Sequence, residues 1–249
     1  MSGHNKWSSI KHKKAAVDAK RGKIFSRLGK EITLAAREGG GDSEMNPRLR
    51  TAIDSAKEEN MPNDNIERAL KKGTGELDGQ KLEEMSYEGY APGGVAIYVS
   101  CLSDNRNRTA ANVRSYFTQH NGNLAENGAV SWMFQRKARF LVQSEDEEKV
   151  LEVLLDAGAE TADTDAADGT VEILAAPEEF ATMVEALKSA ELKISESGVE
   201  YIPDNTIEIN DVNTGRKIVR MIEEIEEDDD VQQVYTNLDL ADEVARELT

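Results

Sequence analysis

The chain has 249 residues, 39% of them apolar and 31% charged, with five prolines and a formal net charge of -18. This length predicts two or three domains with cores of their own, and the composition excludes a chain disordered throughout. No stretch approaches the roughly 18 apolar residues of a membrane-spanning helix, and no apolar run follows the basic start as in a secretory signal, so the expected location is cytoplasmic.

Charge is divided by position. Residues 1 to 75 carry 16 basic and 10 acidic side chains, residues 76 to 136 carry 5 and 7, and residues 137 to 249 carry 9 and 31. A local field acts over about 10 Å or less at physiological salt. The N-terminal part can therefore approach a polyanion that the C-terminal part repels, which points to a protein touching nucleic acid at one end only. The stretch "GHNKWSSIKHKKAAVDAKRGKIF", residues 3 to 25, sets a dense run of Lys and Arg against the single acid Asp18. A Lys-rich start also imitates an organellar transit peptide, but such peptides favour Arg and Ser.

From Ala19 to Glu38, Ile24, Leu28, Ile32 and Ala35 recur at helical spacing, and Lys20, Lys23, Arg27 and Lys30 form a second stripe beside them. This helix can bury one side and offer cations on another. Gly39 to Gly41 end it; Asn46 is placed to cap a second helix, with Pro47 in its first turn, running to about Glu59. "NMPNDNIERALKKGTG" predicts a short third helix, with Asn63 or Asp64 as N-cap and Gly73 as its stop. A helical domain with a basic arm is expected over residues 1–79.

Strands follow. "MSYEGY" and "GVAIYVSCL" flank a turn at Pro92-Gly93-Gly94, "NRNRTAANVRSYFTQHNG" is a helix closed by Asn121-Gly122, and "GAVSWMF" is a further strand. Residues 137–203 spell β-α-β-β-α-β, the order of a ferredoxin-like unit. The remainder, "TIEI", a helix with Ile218, Ile222 and Ile225 on one face, and "VQQVYTNL", is too small to fold alone and is expected to complete the sheet begun at 85–135. The predicted class is α+β: an N-terminal helical domain, then two α/β domains of ferredoxin-like type, the third (137–203) inserted in the second (80–136 plus 204–249).

Several motifs have plain structural readings. No phosphate-binding loop occurs, and the triple glycine follows a helix rather than a strand. "DTDAADG", Asp163 to Gly169, resembles the start of a calcium loop, but its glycine is one place late and Leu174 stands where a bidentate glutamate belongs, so a hairpin turn explains it. Cys101, the only cysteine, lies in an apolar strand and reads as a packing thiol. The run "EEIEEDDD", Glu223 to Asp230, reads as a solvated face rather than a metal site, and opposes the dipole at a helix C-terminus, so a basic partner surface is also open to it. His4, His12 and His120 show no ligand spacing. No metal, no cofactor and no catalytic residue is expected. The 137–203 unit shares the strand order of an RNA-recognition module but carries 5 basic against 17 acidic residues, so protein is its expected partner. In "DNRNRT", Arg106 and Arg108 sit in the first turn of a helix, where cations lose roughly 0.3 to 1 kcal/mol. Two readings remain open for them: a phosphate contact or a structural ion pair with nearby acids.

Taken together, "SGHNKWSSIKHKKAAVDAKRGKIFSRLGKEI", "GGGDSEMNPRLR", "EGYAPGGVA", "CLSDNRNRT" and "ENGAVSWMF" resemble the YebC family, which includes a mitochondrial translational activator of cytochrome c oxidase subunit I. The match is dense and collinear from residue 2 to 134 and more architectural beyond. Ala91 departs from it, standing where family members often have glycine. The resemblance implies three domains and a non-enzymatic role in gene expression, either as a DNA-binding transcriptional regulator or as a translation factor that helps ribosomes through proline-rich stalls. It also implies nucleic-acid contact by Lys6, Trp7, Lys11, His12, Lys13, Lys14, Lys20, Arg21 and Lys23. Arg27 and Lys30 extend that set along the helix, and Arg106 and Arg108 lie in a second matched motif. The expected partners are ribosomal RNA, with DNA as the alternative, at the basic end, and basic protein surfaces at the acidic end; no membrane partner is expected.

Overall fold

The computed structural model describes residues 21–78, 81–159, 162–167 and 169–248. Lys6, Trp7, Lys11, His12, Lys13, Lys14 and Lys20 lie outside them. The described residues fall into two compact units, 21–129 with 211–236, and 130–210 with 237–248.

The first unit opens with three helices, α1 (Arg21–Gly39), α2 (Pro47–Glu58) and α3 (Asn63–Thr74). Their apolar faces meet in one core: Ile32, Ala35 and Ala36 from α1, Leu49, Ala52 and Ala56 from α2, Met61, and Ile66 and Ala69 from α3. Asn46 caps α2 as its spacing predicts, accepting from the Leu49 N–H at 3.1 Å, and its amide also donates to the carbonyls of Ala35 and Gly40. One buried side chain thus terminates α1 and starts α2. The third helix departs from expectation at both ends. Pro62 occupies the N-cap position without a side-chain bond, and the left-handed stop is Gly75 at φ +83°, not Gly73. Gly73 lies inside α3 where it crosses α1: a Cβ there would stand 2.5 Å from the Thr33 carbonyl oxygen and 2.6 Å from the Ala36 Cβ. The glycine is needed for close approach rather than for a turn.

The same unit holds an antiparallel sheet of order β3-β1-β2-β9, from β1 (Glu83–Tyr90), β2 (Ala96–Ser103), β3 (Asn123–Leu124) and β9 (Val231–Thr236), with α4 (Arg106–Gln119) and α7 (Val212–Glu226). The expected hydrophobic face of α7 is present, with Ile218, Ile222 and Ile225 all buried. Leu34 of α1, Leu82 and Leu102 of β2 form a separate buried cluster that joins the helices to the sheet.

In the second unit, β4 (Phe134–Gln143), α5 (Glu147–Asp156), β5 (Asp163–Ala167), β6 (Thr170–Ala175), α6 (Phe180–Ser189) and β7 (Lys193–Pro203) form an antiparallel sheet of order β5-β6-β4-β7, the ferredoxin-like order. Its core joins Phe140 and Val142 of β4 and Ile173 of β6 to Val150 and Leu154 of α5 and Met183 and Leu187 of α6. Two strand expectations are corrected. "GAVSWMF" is not a strand: Ser131–Met133 make one 3-10 turn, and Phe134 begins β4, which pairs along its whole length with β7 from Phe134↔Pro203 to Gln143↔Lys193. Nor does "TIEI" enter the first sheet. It forms β8 (Ile207–Ile209), paired in parallel with β10 (Leu238–Leu240), and α8 (Asp242–Leu248) follows. The reason is a break at Asn237, whose carbonyl accepts from the Ile207 N–H and divides "VQQVYTNL" between two sheets. The fold is α+β. Among the described residues no helix is long and apolar enough to cross a membrane.

Gly73→Ala is expected to lower the stability of the three-helix part by about 1 to 3 kcal/mol, through overpacking against the α1 backbone. Gly29→Ala, mid-helix with the Met61 methyl at an ordinary 3.9 Å, is expected to raise it by about 0.5 to 1 kcal/mol. Urea unfolding followed by circular dichroism checks both signs.

Candidate nucleic-acid interface

The basic stripe of α1 is carried by Lys23, Arg27 and Lys30, at spacings of four and three along one side of the helix. The side chain of Arg21, where the helix begins, lies outside the described residues. The stripe faces the end of α7 and the acidic run that follows. The Arg27 guanidinium donates to the Glu226 carbonyl, a position favoured by the negative end of the α7 dipole. Burial lowers the Arg27 pKa, opposed by the charges of Glu226 and Asp229. Partial burial and the neighbouring Arg27 also lower that of Lys23, which stays half exposed. The Lys30 ammonium donates to the carbonyls of Leu102 at 3.1 Å and Asp229 at 2.8 Å, and to Asp230 Oδ1 at 3.1 Å.

Asp230 is also where the second predicted motif converges. Asn105 caps α4 by accepting from the Arg108 N–H at 3.1 Å. This places Arg108 in the first helical turn, against the dipole, but its guanidinium grips Asp230 at 2.8 and 3.0 Å and Asp104 at 2.9 Å. Thr109 adds a hydroxyl bond to Asp230 Oδ2 at 2.9 Å. Of the two readings open for this motif, Arg108 has the ion pair in hand. Arg106 is exposed and makes no ion pair among the described residues.

The run from Glu223 to Asp230 is therefore not the solvated face expected of it. Asp228 and Asp230 are buried, 9% and 3% exposed, because each is supplied with donors. Asp228 accepts from the Asn112 amide at 2.9 Å, the Tyr116 hydroxyl at 3.2 Å and the Asp230 N–H at 2.9 Å. His120 lies 2.9 Å from Glu224. Arg108, Asn112 and Tyr116 of α4 and His120 at its C-cap stand at intervals of four, one ridge laid along the acidic run. That spacing is visible in the sequence; what hides its meaning is that the partners lie more than a hundred residues away. Tyr116 is pushed up to about 12 by partial burial and the Asp228 charge. Cys101 is buried as expected, its thiol pushed up to about 12 by burial and by Asp228 and Asp230. Among the described residues no cluster of His, Cys, Asp and Glu could hold a metal ion.

Burial alone would raise the Asp230 pKa, but hydrogen bonds from Arg108, Lys30, Thr109 and Ser103 outweigh it and hold the carboxyl at about 2, below the ordinary 3.8. A depressed folded pKa contributes stability that is complete above the unfolded value and is lost as pH falls through the folded one. For Asp230 this amounts to on the order of 2 kcal/mol at neutral pH. Asp230→Asn is expected to lower the unfolding free energy by about that amount at pH 7. The gap to the unsubstituted protein should close between roughly pH 4 and pH 2, and parallel denaturant titrations across that window check it.

Two family models match the chain: the TACO1/YebC protein N-terminal domain over residues 5–76, and the TACO1/YebC second and third domain over residues 82–238. A protein of Halothermothrix orenii named "probable transcriptional regulatory protein" is 49% identical over 253 residues, covering 100% of this chain and 99% of that one. A protein of the same name from Natranaerobius thermophilus is 51% identical over 247 residues, covering 97% and 98%. The crystal structure of a conserved hypothetical protein, Aq1575, from Aquifex aeolicus superimposes with a TM-score of 0.84 at 47% identity, covering 95% of this chain and 97% of that one. With both models matched in order and relatives aligned end to end, the chain belongs to the TACO1/YebC family.

Proposed function

We propose that this protein is a non-enzymatic, cytoplasmic regulator of gene expression that works on the ribosome, binding ribosomal RNA through its basic N-terminal region and relieving stalls in translation. The observation that carries this reading is the one-ended charge, net +6 over residues 1 to 75 against net -22 over residues 137 to 249. A ribosome presents RNA and basic protein side by side and suits both ends, whereas naked DNA suits only one. Relief of stalls is the part that rests on the resemblance to the mitochondrial translational activator. The non-enzymatic part is supported by the two groups best placed for chemistry. A buried Cys101 with its thiol near 12 is no thiolate at neutral pH, and His120 is engaged with Glu224.

The second reading, a DNA-binding transcriptional regulator, is favoured by the name its relatives carry. A basic arm has few means of reading base edges, so its sequence preference on DNA would be modest. Sedimentation of lysate through a sucrose gradient at physiological salt separates the two. Co-migration with ribosomal subunits is expected; absence from those fractions together with a sequence-selective DNA footprint would establish the second. Replacing Lys11, Lys13 and Lys14 with Ala is expected to flatten the salt dependence of RNA binding by about 0.7 log units of slope per lost single-strand phosphate contact. An unchanged slope would show that the arm takes no part.

A further inference from the structure

Within the first unit, α1 and α3 enclose a groove of about 400 Å³. Its lining includes three cations, Lys30, Arg68 and Lys72, and no carboxylate, in a chain whose net charge is -18. Lys30 is already committed to Asp230 and two carbonyls, so it forms a fixed wall. Arg68 and Lys72 differ: both are exposed, they stand one turn apart on α3, and neither makes a hydrogen bond or ion pair among the described residues. The adjacent Lys71, by contrast, is paired with Glu67 at 2.6 Å. Two unpaired cationic side chains whose Cβ atoms stand about 6 Å apart on one helix face can share a phosphate or hold neighbouring ones. Beside them the groove offers the half-buried ring of Phe25, the buried Met61, and the exposed amide of Asn65, one turn before Arg68.

An apolar ring on the α1 wall and an amide and two free cations on the α3 wall have the chemistry of a nucleotide site: a surface for a base, a partner for its edge, and a clamp for its phosphate. The volume falls at the small-ligand end of pocket sizes, about 300 to 1,000 Å³, enough for one extruded nucleotide and too small for a duplex. We propose that this groove seats one unpaired nucleotide of a single-stranded RNA segment, its phosphate between Arg68 and Lys72 and its base against Phe25. The inference deepens the nucleic-acid reading above and rests on it. It moves a binding determinant from the arm to α3, in residues the charge pattern of α1 does not point to.

The test uses the full chain and a short fluorescein-labelled oligouridylate, followed by anisotropy over a range of salt, with circular dichroism to show that each variant is folded. Arg68→Ala with Lys72→Ala is expected to weaken binding at least tenfold and to reduce the log–log salt slope by about 0.7, the share of the one phosphate held between them. Phe25→Leu, which keeps the apolar packing and loses the ring, is expected to weaken binding about tenfold with the slope unchanged. The proposal is overturned if the double variant keeps both affinity and slope. It is equally overturned if the double variant loses duplex RNA as strongly as the single strand, or if it keeps RNA but loses an acidic peptide such as oligoglutamate, which would make the groove a protein site. If binding falls in the Lys11, Lys13 and Lys14 variant but not in the double variant, the groove is excluded while the nucleic-acid reading stands. If the intact chain binds no oligouridylate at all, both fail.

Discussion

The carboxylate of Asp230 is the point on which the first unit is organised. It receives Lys30 from α1 and Arg108 and Thr109 from α4, while the backbone of its own residue donates to Asp228 and accepts from Leu102 of β2. A buried carboxylate is tolerated only when donors replace its water, and here four side chains do so. The pair is not the main source of stability. Leu34, Leu82 and Leu102, buried at the same seam, contribute roughly 1.5 to 3 kcal/mol each, more in sum than one ion pair. What the ion pairs add is position: a leucine cluster accepts small slides, whereas a two-pronged guanidinium contact and a lysine reaching two carbonyls do not. Arg48, bonded to Glu31, Glu38 and Glu84, plays the same part at the other end of the helices, fastening α1 and α2 to β1.

This arrangement changes what the charge map means. Summed by segment, the N-terminal region is cationic and the C-terminal region anionic, as though the two acted on different partners. In the fold, part of the acidic run after α7 neutralises part of the basic stripe on α1, so Arg27 and Lys30 face the protein's own carbonyls and carboxylates. The cations left exposed are a different set, in which Arg106, Arg68 and Lys72 stand out. Net charge governs the long-range approach to a polyanion; the contact surface is decided by which cations have no partner at home.

Much of this was legible beforehand, for reasons that can be named. The apolar face of α1, the Asn46 cap, the ferredoxin-like order of 137–203 and the isoleucine face of α7 all arise from interactions within a turn or between neighbouring strands, and these leave regular spacings. The misreadings share one origin. Gly73 looks like a helix stop because glycine usually ends helices, but its role comes from Thr33 and Ala36 on another helix. "TIEI" looks like a strand of the first sheet because strands seek the nearest edge, but a turn of the backbone at Asn237 gives it a different neighbour. The acidic run looks solvated because isolated carboxylates are, but its donors sit on α4 and α1.

The sequence by itself determined the family, the succession of helices and strands, and the polarity of charge along the chain, since each is a property of residues close together. Only the tertiary structure decided that Asp230 would be buried, that it would hold Lys30 from 200 residues away and Arg108 from 122, and that Arg68 and Lys72 would be left open beside Phe25. Whether a charge is available depends on its nearest opposite charge in space, and at such separations only the packing of helices and sheets brings the two within hydrogen-bonding distance.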